Sequence, residues 1–376
     1  MKILHLTHTD TRYDNRILKE LGALTEAELY QVTCIGVASD EGASLSKNEL
    51  NANIITLRLI TNLPKWAPRP IRHALMLIEL YVRMSILGVK FKPNIVHCHD
   101  TMVLPIGVLI KSISKAKLIY DAHELESNKN GQTKILAKVT LFLERICWRR
   151  IDHLISVSDS IISWYEKNLG VKSHSLILNS PFISKVDKVA DRYFHRLYDI
   201  PSDRLVFVYL GILGFGRGVD YIIEAFSQEN IKSHVVFIGY GELASKIKEN
   251  SIKNNNIHLH PSVPHEEVVQ IVKNADVGLC LIENVSLSDY YCLPNKLFEY
   301  VFAGLPILAS DFPDISAIVN KYDLGKVCAI NSKSINQAVH QMELKPPNTI
   351  TADLIELGWP EQAKRLINLY FKLLKQ

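Results

Sequence analysis

The chain has 376 residues, more than one core usually supports, so about two domains are expected. Its 47% hydrophobic and 22% charged content is that of a globular protein and excludes a disordered or fibrous one. Net charge is +4, with the basic excess in the first half and a net negative second half. Six cysteines (34, 98, 147, 280, 292 and 328) lie far apart with no Cys-x-x-Cys. That spacing argues against a disulfide framework or a zinc cluster and favours a reducing compartment. The N-terminal apolar run is too short for a signal peptide, and no uncharged apolar run reaches the roughly 18 residues of a bilayer span. The expected address is the cytoplasm.

In chain order, apolar runs at 2–7, 31–36, 53–58, 95–97, 117–121, 153–157 and 175–178 read as strands. Helical patterns at 14–24, 72–87 and 135–150 separate several of them. This alternation predicts a doubly wound parallel sheet over 1–180. Residues 181–203 are polar, contain Pro181 and Pro201, and read as a linker. A second cycle fills 204–350, with strands at 205–210, 234–239, 257–259, 277–281, 306–309 and 325–327. Helices are expected at 219–227, 243–250, 265–274 and 297–303. Residues 351–376 end the chain, with an amphipathic helix over 362–374. The predicted class is α/β, two Rossmann-like domains facing a cleft, the final helix a candidate to cross back to the first. In such sheets ligands bind beyond the carboxyl ends of the strands.

Four features stand at predicted strand ends. Gly211, Gly214, Gly216 and Gly218 punctuate a strand-to-helix turn that also carries Arg217. Such a turn lets backbone N–H groups approach an anion, and an arginine can clamp phosphate oxygens. Gly239 and Gly241 follow the next strand and read equally as a tight turn. Pro294-Asn295-Lys296-Leu297-Phe298-Glu299 opens an otherwise apolar helix with a cation and a carboxylate one turn apart. A lysine at a helix N-terminus suits phosphate, and a carboxylate suits vicinal sugar hydroxyls; a buried helix with one ion pair is the competing reading. His123, with Glu124 beside it, follows a strand of the first domain, where a lone histidine is more often structural.

The sequence resembles a retaining glycosyltransferase of family 4, with the two-domain GT-B fold. The resemblance runs over nearly the whole chain, through NIVHCHD (94–100), YDAHE (120–124), LISVSDSI (154–161), the Gly211–Gly218 turn, ADVGLCL (275–281) and PNKLFEYVFAGLPILAS (294–310), to the closing WPEQAKRLINLYFKLL. It implies transfer of a sugar from a nucleotide-sugar, UDP slightly favoured over GDP, to a glycan hydroxyl with anomeric configuration kept. The first domain would hold the acceptor and the second the donor. No cofactor is implied, nor a metal, and no Asp-x-Asp motif is present. Glu299 would bind the ribose, Arg217 and Lys296 the diphosphate, with Gly211, Gly214, Gly216 and Gly239 around it. His123, with a catalytic role beside Glu299, would face the donor sugar together with Tyr291 and Asn295.

This chain departs from the family pattern in three places. The family pairs two glutamates eight positions apart, and eight before Glu299 stands Tyr291. Asp289, two residues off, is the nearest carboxylate, expected on a loop. Ile212 holds a place where arginine is common, and the first-domain loop lacks paired glycines. Arg12, Asp14 and Arg16 are its candidate phosphate or acceptor contacts. These features fit a PNKLFEY-type bacterial surface-polysaccharide subgroup. A nucleotide-sugar epimerase on the same fold, or an inert scaffold subunit, are the alternatives. A Rossmann dehydrogenase is disfavoured, because no Gly-x-Gly-x-x-Gly follows the first strand.

Two stretches are strongly basic. Residues 61–92 carry Lys65, Arg69, Arg72, Arg83, Lys90 and Lys92 against Glu79 alone. Residues 129–150 carry Lys129, Lys134, Lys138, Arg145, Arg149 and Arg150 against Glu144 alone. With Trp66, Tyr81, Phe142 and Trp148, these helices could rest on an anionic membrane surface, on the inner face of the cell membrane; a solvated polar face is the even alternative. The resemblance favours a lipid-linked glycan acceptor. Nucleic acid is not an expected partner, because the second half is acidic and carries no stacking motif.

Overall fold

The structure is a computed structural model and describes residues 1–39, 51–62, 68–181, 192–264, 267–348, 350 and 354–375. The chain divides into two compact units, Met1–Asn179 with Pro360–Gln376, and Ser180–Trp359. Lys65 and Trp66, much of the expected linker and the first two residues of the helix expected at 265–274 lie outside the described residues.

The first unit is built on seven parallel strands: β1 (Lys2–Leu6), β2 (Gln31–Val37), β3 (Asn53–Leu57), β4 (Ile95–His99), β5 (Lys117–Ala122), β6 (His153–Ser156) and β7 (His174–Leu176). Their order is β3-β2-β1-β4-β5-β6-β7. The connecting helices are α1 (Asn15–Glu26), α2 (Arg69–Phe91), α3 (Leu104–Ser114), α4 (Lys134–Trp148) and α5 (Asp159–Leu169). Local chemistry starts several of them. Asp14, Thr133 and Ser158 cap α1, α4 and α5 by accepting first-turn N–H groups. The strand order reverses between β1 and β4, which are paired in register from Ile3 with Ile95 to Leu6 with Cys98. That reversal is where an open α/β sheet offers a ligand crevice.

The second unit holds α6 (Tyr193–Leu197), β8 (Val206–Leu210), α7 (Val219–Phe226), β9 (His234–Ile238), α8 (Ala244–Lys253), β10 (Ile257–His260), α9 (Val268–Val272) and β11 (Val277–Cys280). It continues with α10 (Leu287–Tyr290), α11 (Asn295–Phe302), β12 (Ile307–Ser310), α12 (Pro313–Lys321), β13 (Gly325–Cys328) and α13 (Ser332–Leu344). The parallel order is β10-β9-β8-β11-β12-β13. Phe207 and Tyr209 of β8, Phe237 of β9, Leu279 of β11 and Phe226 of α7 fill its core. The last helix, α14 (Trp359–Lys375), packs within the first unit, where Tyr370 is fully buried.

All thirteen runs read as strands are strands; inner strands such as β8 are buried throughout and leave uninterrupted apolar segments, while the edge strands β7 and β13 are only partly buried. Reading the sequence missed α3, α5, α12 and α13, and the short helices α6 and α10. Helix α3 is the plainest case: Leu104, Ile106, Gly107 and Ile110 are buried and its sequence is apolar on nearly every side.

Candidate active site

In the second unit a pocket of about 500 Å³ lies beyond the carboxyl ends of β8, β9 and β10. Its wall on one side is the start of α11. Pro294 precedes that helix in an extended conformation, and no side chain caps it. The Leu297 N–H donates to the Pro294 carbonyl, which leaves those of Asn295 and Lys296 open to an anion. Lys296 projects from this turn into the pocket. Its Nζ lies 3.8 Å from the centre of the Tyr209 ring. The ammonium is buried and has no hydrogen-bond partner among the described residues. Glu299, one turn later and 6% exposed, lines the same pocket, as does the exposed Asn295.

The glycines do two different jobs. Gly239 has φ +151°, and a Cβ there would fall 1.9 Å from the carbonyl oxygen of Gly211. It is glycine because the turns after β8 and β9 touch backbone to backbone; the N–H of Gly211 donates to Ile238 and that of Leu213 to Tyr240. Gly211, by contrast, faces Lys296, whose Nζ is 3.9 Å from where its Cβ would stand. A side chain there would cover the ammonium.

The remainder of the glycine turn is not part of this pocket. The N–H of Phe215 donates to Glu242, and that of Gly218, which precedes α7, to Glu283. Two carboxylates that the sequence reading did not single out thus hold the turn at Gly214 and Gly216, and Glu283 takes the anion position at the start of α7. Arg217 pairs with Asp289 at 3.4 Å and is partly exposed. Asp289 is not on a loop: it lies in α10, nearly buried, bonded to Ser286 and Arg217. Tyr291 closes that short helix and packs against Tyr290, outside the pocket wall.

In the first unit, His123 stands just beyond β5. Its Nε2 is 3.2 Å from an Asp121 oxygen and 3.1 Å from His99 Nδ1, and its Nδ1 is 3.8 Å from Asp100. Burial works against the imidazolium, but Asp121 and Asp100 overcome it and lift the pKa to about 9. Asp121 is itself fully buried and accepts from the Arg16 guanidinium at 2.9–3.1 Å. Behind them runs a chain of ring contacts. His99 shares a hydrogen bond with His5 at 2.9 Å, His5 with the Tyr370 hydroxyl at 3.2 Å, and that hydroxyl with His97 at 2.5 Å. Burial keeps His5, His97 and His99 below their ordinary pKa, His97 at about 3. Glu20 closes the cluster, raised to about 8 by burial and then by the Asp121 charge. A neutral histidine core thus surrounds one charged imidazole.

The expected loop contacts have other partners. Arg16 is 3% exposed, lies in α1, and serves Asp121, Glu20 and the Ile177 carbonyl. Its charge is consumed inside the fold, so it is no acceptor-loop residue. Arg12 grips Asp10 through Nε at 2.8 Å and Nη2 at 2.5 Å. Asp14 caps α1. The sequence reading also missed Asp121, His5, His97, His99 and Tyr370. Two groups of side chains approach ion-binding spacing among the described residues, His5/Glu20/His97/His99 and His99/Asp121/His123.

The fold and this pocket define a class: an α/β protein of two Rossmann-like units with the GT-B architecture. A model of glycosyltransferase family 4 matches residues 15–180, and a model of glycosyl transferases group 1 matches residues 193–355. The chain belongs to these glycosyltransferases. An uncharacterized glycosyltransferase of Methanocaldococcus jannaschii is 22% identical, covering 80% of this chain and 83% of the relative. Sucrose-phosphate synthase from Thermosynechococcus elongatus superposes with a TM-score of 0.80 at 14% identity, over 99% of both chains. HepE of Anabaena, solved with UDP and glucose, superposes with a TM-score of 0.72 at 12% identity, over 99% of this chain and 100% of that one.

Proposed function

We propose that this glycosyltransferase is a retaining, metal-independent enzyme. It moves a hexose from a nucleotide-sugar to a hydroxyl of a lipid-linked glycan in bacterial surface-polysaccharide synthesis. The observation that carries the donor assignment is Lys296, an ammonium buried in a pocket at an uncapped helix start with no hydrogen-bond partner among the described residues. A buried, unbonded cation is costly, and a diphosphate oxygen is the partner it lacks. Glu299, one turn away, is assigned to the ribose hydroxyls. Arg217, partly exposed beside Asp289, is assigned as a second cation for the diphosphate on the sequence resemblance, so charge on the departing diphosphate is met by fixed groups without a metal. UDP is favoured over GDP, in keeping with the UDP held by HepE. His123 takes the reaction-centre role that the sequence resemblance assigns, as an imidazolium held by Asp121. No helix among the described residues is long and apolar enough to cross a membrane. We assign the basic faces of α2 and α4 to peripheral contact with an anionic inner-membrane surface.

A thermal-shift panel of UDP-, GDP-, ADP- and CMP-sugars tests this reading, because a ligand at a hundredfold its Kd adds about 2.7 kcal/mol of stability. The expected result is a shift with UDP-sugars that is lost in Glu299→Gln, with turnover undiminished in EDTA. No shift with any sugar nucleotide, or an equal shift in Glu299→Gln, would refute it.

A further inference from the structure

The first unit contains a second cavity, of about 500 Å³, between α2 and α4. Ile78 and Val82 form one wall, Leu136 and Val139 the other, and Met102 lies between them. These side chains are not a core. Ile78 is 61% exposed, Val82 51%, Leu136 49% and Val139 46%. The pattern continues along both helices. Leu75, Ile78, Val82 and Ile86 recur once per turn on α2 and are all exposed; so do Ile135, Val139, Phe142 and Ile146 on α4. Scattered exposed aliphatics need no explanation, but two exposed stripes that both reach one cavity, through Ile78, Val82 and Val139, do. The aromatic contribution is smaller than the sequence suggests, because Trp148 is buried and the Tyr81 hydroxyl donates to the Met102 carbonyl.

Charge narrows the occupant. Lys134, Lys138, Arg145 and Arg149 lie exposed beside the α4 stripe, and none has a carboxylate within ion-pair distance among the described residues. Arg83 on α2 is less free, being bonded to Glu79 and the Arg58 carbonyl. An apolar groove with a cationic rim matches a hydrocarbon chain carrying an anionic head and disfavours a second, equally basic copy of this face.

The two ends of the groove differ. One is closed by His8, Glu126 and Lys129. Lys129 pairs with Glu126 at 2.6 Å, and a His8 ring nitrogen is buried without a hydrogen-bond partner among the described residues. His8 and Lys129 both interact electrostatically with Asp100, and His8 also with His123. Asp100 lies 3.8 Å from His123 Nδ1 and meets the side chain of Glu126, which lines the groove, so the polar end of the groove reaches the surroundings of His123.

We propose that this groove seats the hydrocarbon anchor of the acceptor, a long-chain lipid phosphate. The chain lies between α2 and α4, and its phosphate-bearing head sits at the His8–Lys129 end beside His123. Calling that lipid the acceptor rests on the glycosyl-transfer reading above; the lipid site itself does not.

Calorimetric titration with octyl and decyl phosphate below their micelle concentrations tests it. A buried chain should bind about tenfold more tightly for two added methylenes. Val139→Asp should weaken both probes at least tenfold and erase the chain-length dependence, and Lys129→Gln should weaken both while keeping it. Val139 is exposed, so an unchanged melting temperature checks that the variant folds. Equal affinity for the two probes overturns the proposal, even where the protein sediments with phosphatidylglycerol vesicles, for the face would then only rest on a bilayer. A dimer abolished by Val139→Asp overturns it too, since a second copy would cover the groove. UDP-sugar binding is measured on the same samples. Probe binding without it removes the acceptor assignment, and the reverse leaves the donor reading intact while the groove fails.

Discussion

Asp121→Asn isolates the electrostatic centre of the first unit. Asp121 and Arg16 are paired at 2.9 Å with side chains 0% and 4% exposed. Removing one charge of a buried pair costs about 3–5 kcal/mol when the other is left uncompensated, but here Glu20 remains 3.2 Å from Arg16. The asparagine keeps the shape and one acceptor oxygen, so the low end of that range, about 3 kcal/mol, is expected. His123 responds in the same experiment. Its pKa of about 9 exists because Asp121 and Asp100 outweigh burial. Without the nearer carboxylate, burial and the Arg16 charge prevail and the pKa falls below the ordinary 6.5. The sign follows from linkage. A histidine with a raised folded pKa contributes stability that is complete below about 6.5 and lost as pH rises through about 9. The native protein should therefore lose stability across that window, by up to about 3 kcal/mol for 2.5 pKa units. The variant should lose less, because its imidazole is already neutral. Part of the 3 kcal/mol and the pH slope describe one interaction, so the two are not summed. Urea unfolding at pH 6 and pH 9.5 reads the stability, and NMR titration of the imidazoles, with His123→Gln for assignment, reads the pKa. A stability loss under 1 kcal/mol at pH 6, or a His123 midpoint still near 9, would refute the reasoning.

Lys296→Met should raise the melting temperature of the ligand-free protein, by the equivalent of about 1 kcal/mol, while weakening UDP-sugar binding about ten- to hundredfold. Thermal unfolding with and without UDP measures both. Gly239→Ala should destabilise the second unit by about 3 kcal/mol, since its Cβ would fall 1.9 Å from the Gly211 oxygen at a φ of +151°; urea unfolding checks this, and an unchanged midpoint would contradict the turn-on-turn packing.

The strands and the pocket helix were legible in sequence because both write local patterns. A buried parallel strand is an apolar run, and Lys296 and Glu299 are one turn apart on the chain. The histidine cluster leaves no such trace, since its members come from β1, β4, β5, α1 and α14. One hint was available: His97 and His99 alternate within a strand and so share a face. Arg16 misled for the same reason. It lies two positions from Asp14, but its partner Asp121 is 105 residues away. The glycine turn was half legible. Its glycines are visible in sequence, but Glu242 and Glu283, which occupy its N–H groups, arrive from later turns.

The two units hold polar groups for opposite reasons, and this sets the sign of each substitution. In the second unit the Lys296 ammonium is buried over the Tyr209 ring without a hydrogen-bond partner among the described residues, and we expect a stability cost in the ligand-free state that an anion relieves. Deleting Lys296 should therefore help the empty protein and harm the bound one. In the first unit His123 and Asp121 each have a partner, and their charges are fixed by one another before any substrate arrives. Deleting Asp121 should harm the protein whether or not ligand is present. A residue whose removal stabilises the fold while abolishing binding is held for its ligand; one whose removal destabilises both is held for the residue beside it. By that criterion Lys296 is expected to behave as a binding residue, and Asp121 as one that acts through His123.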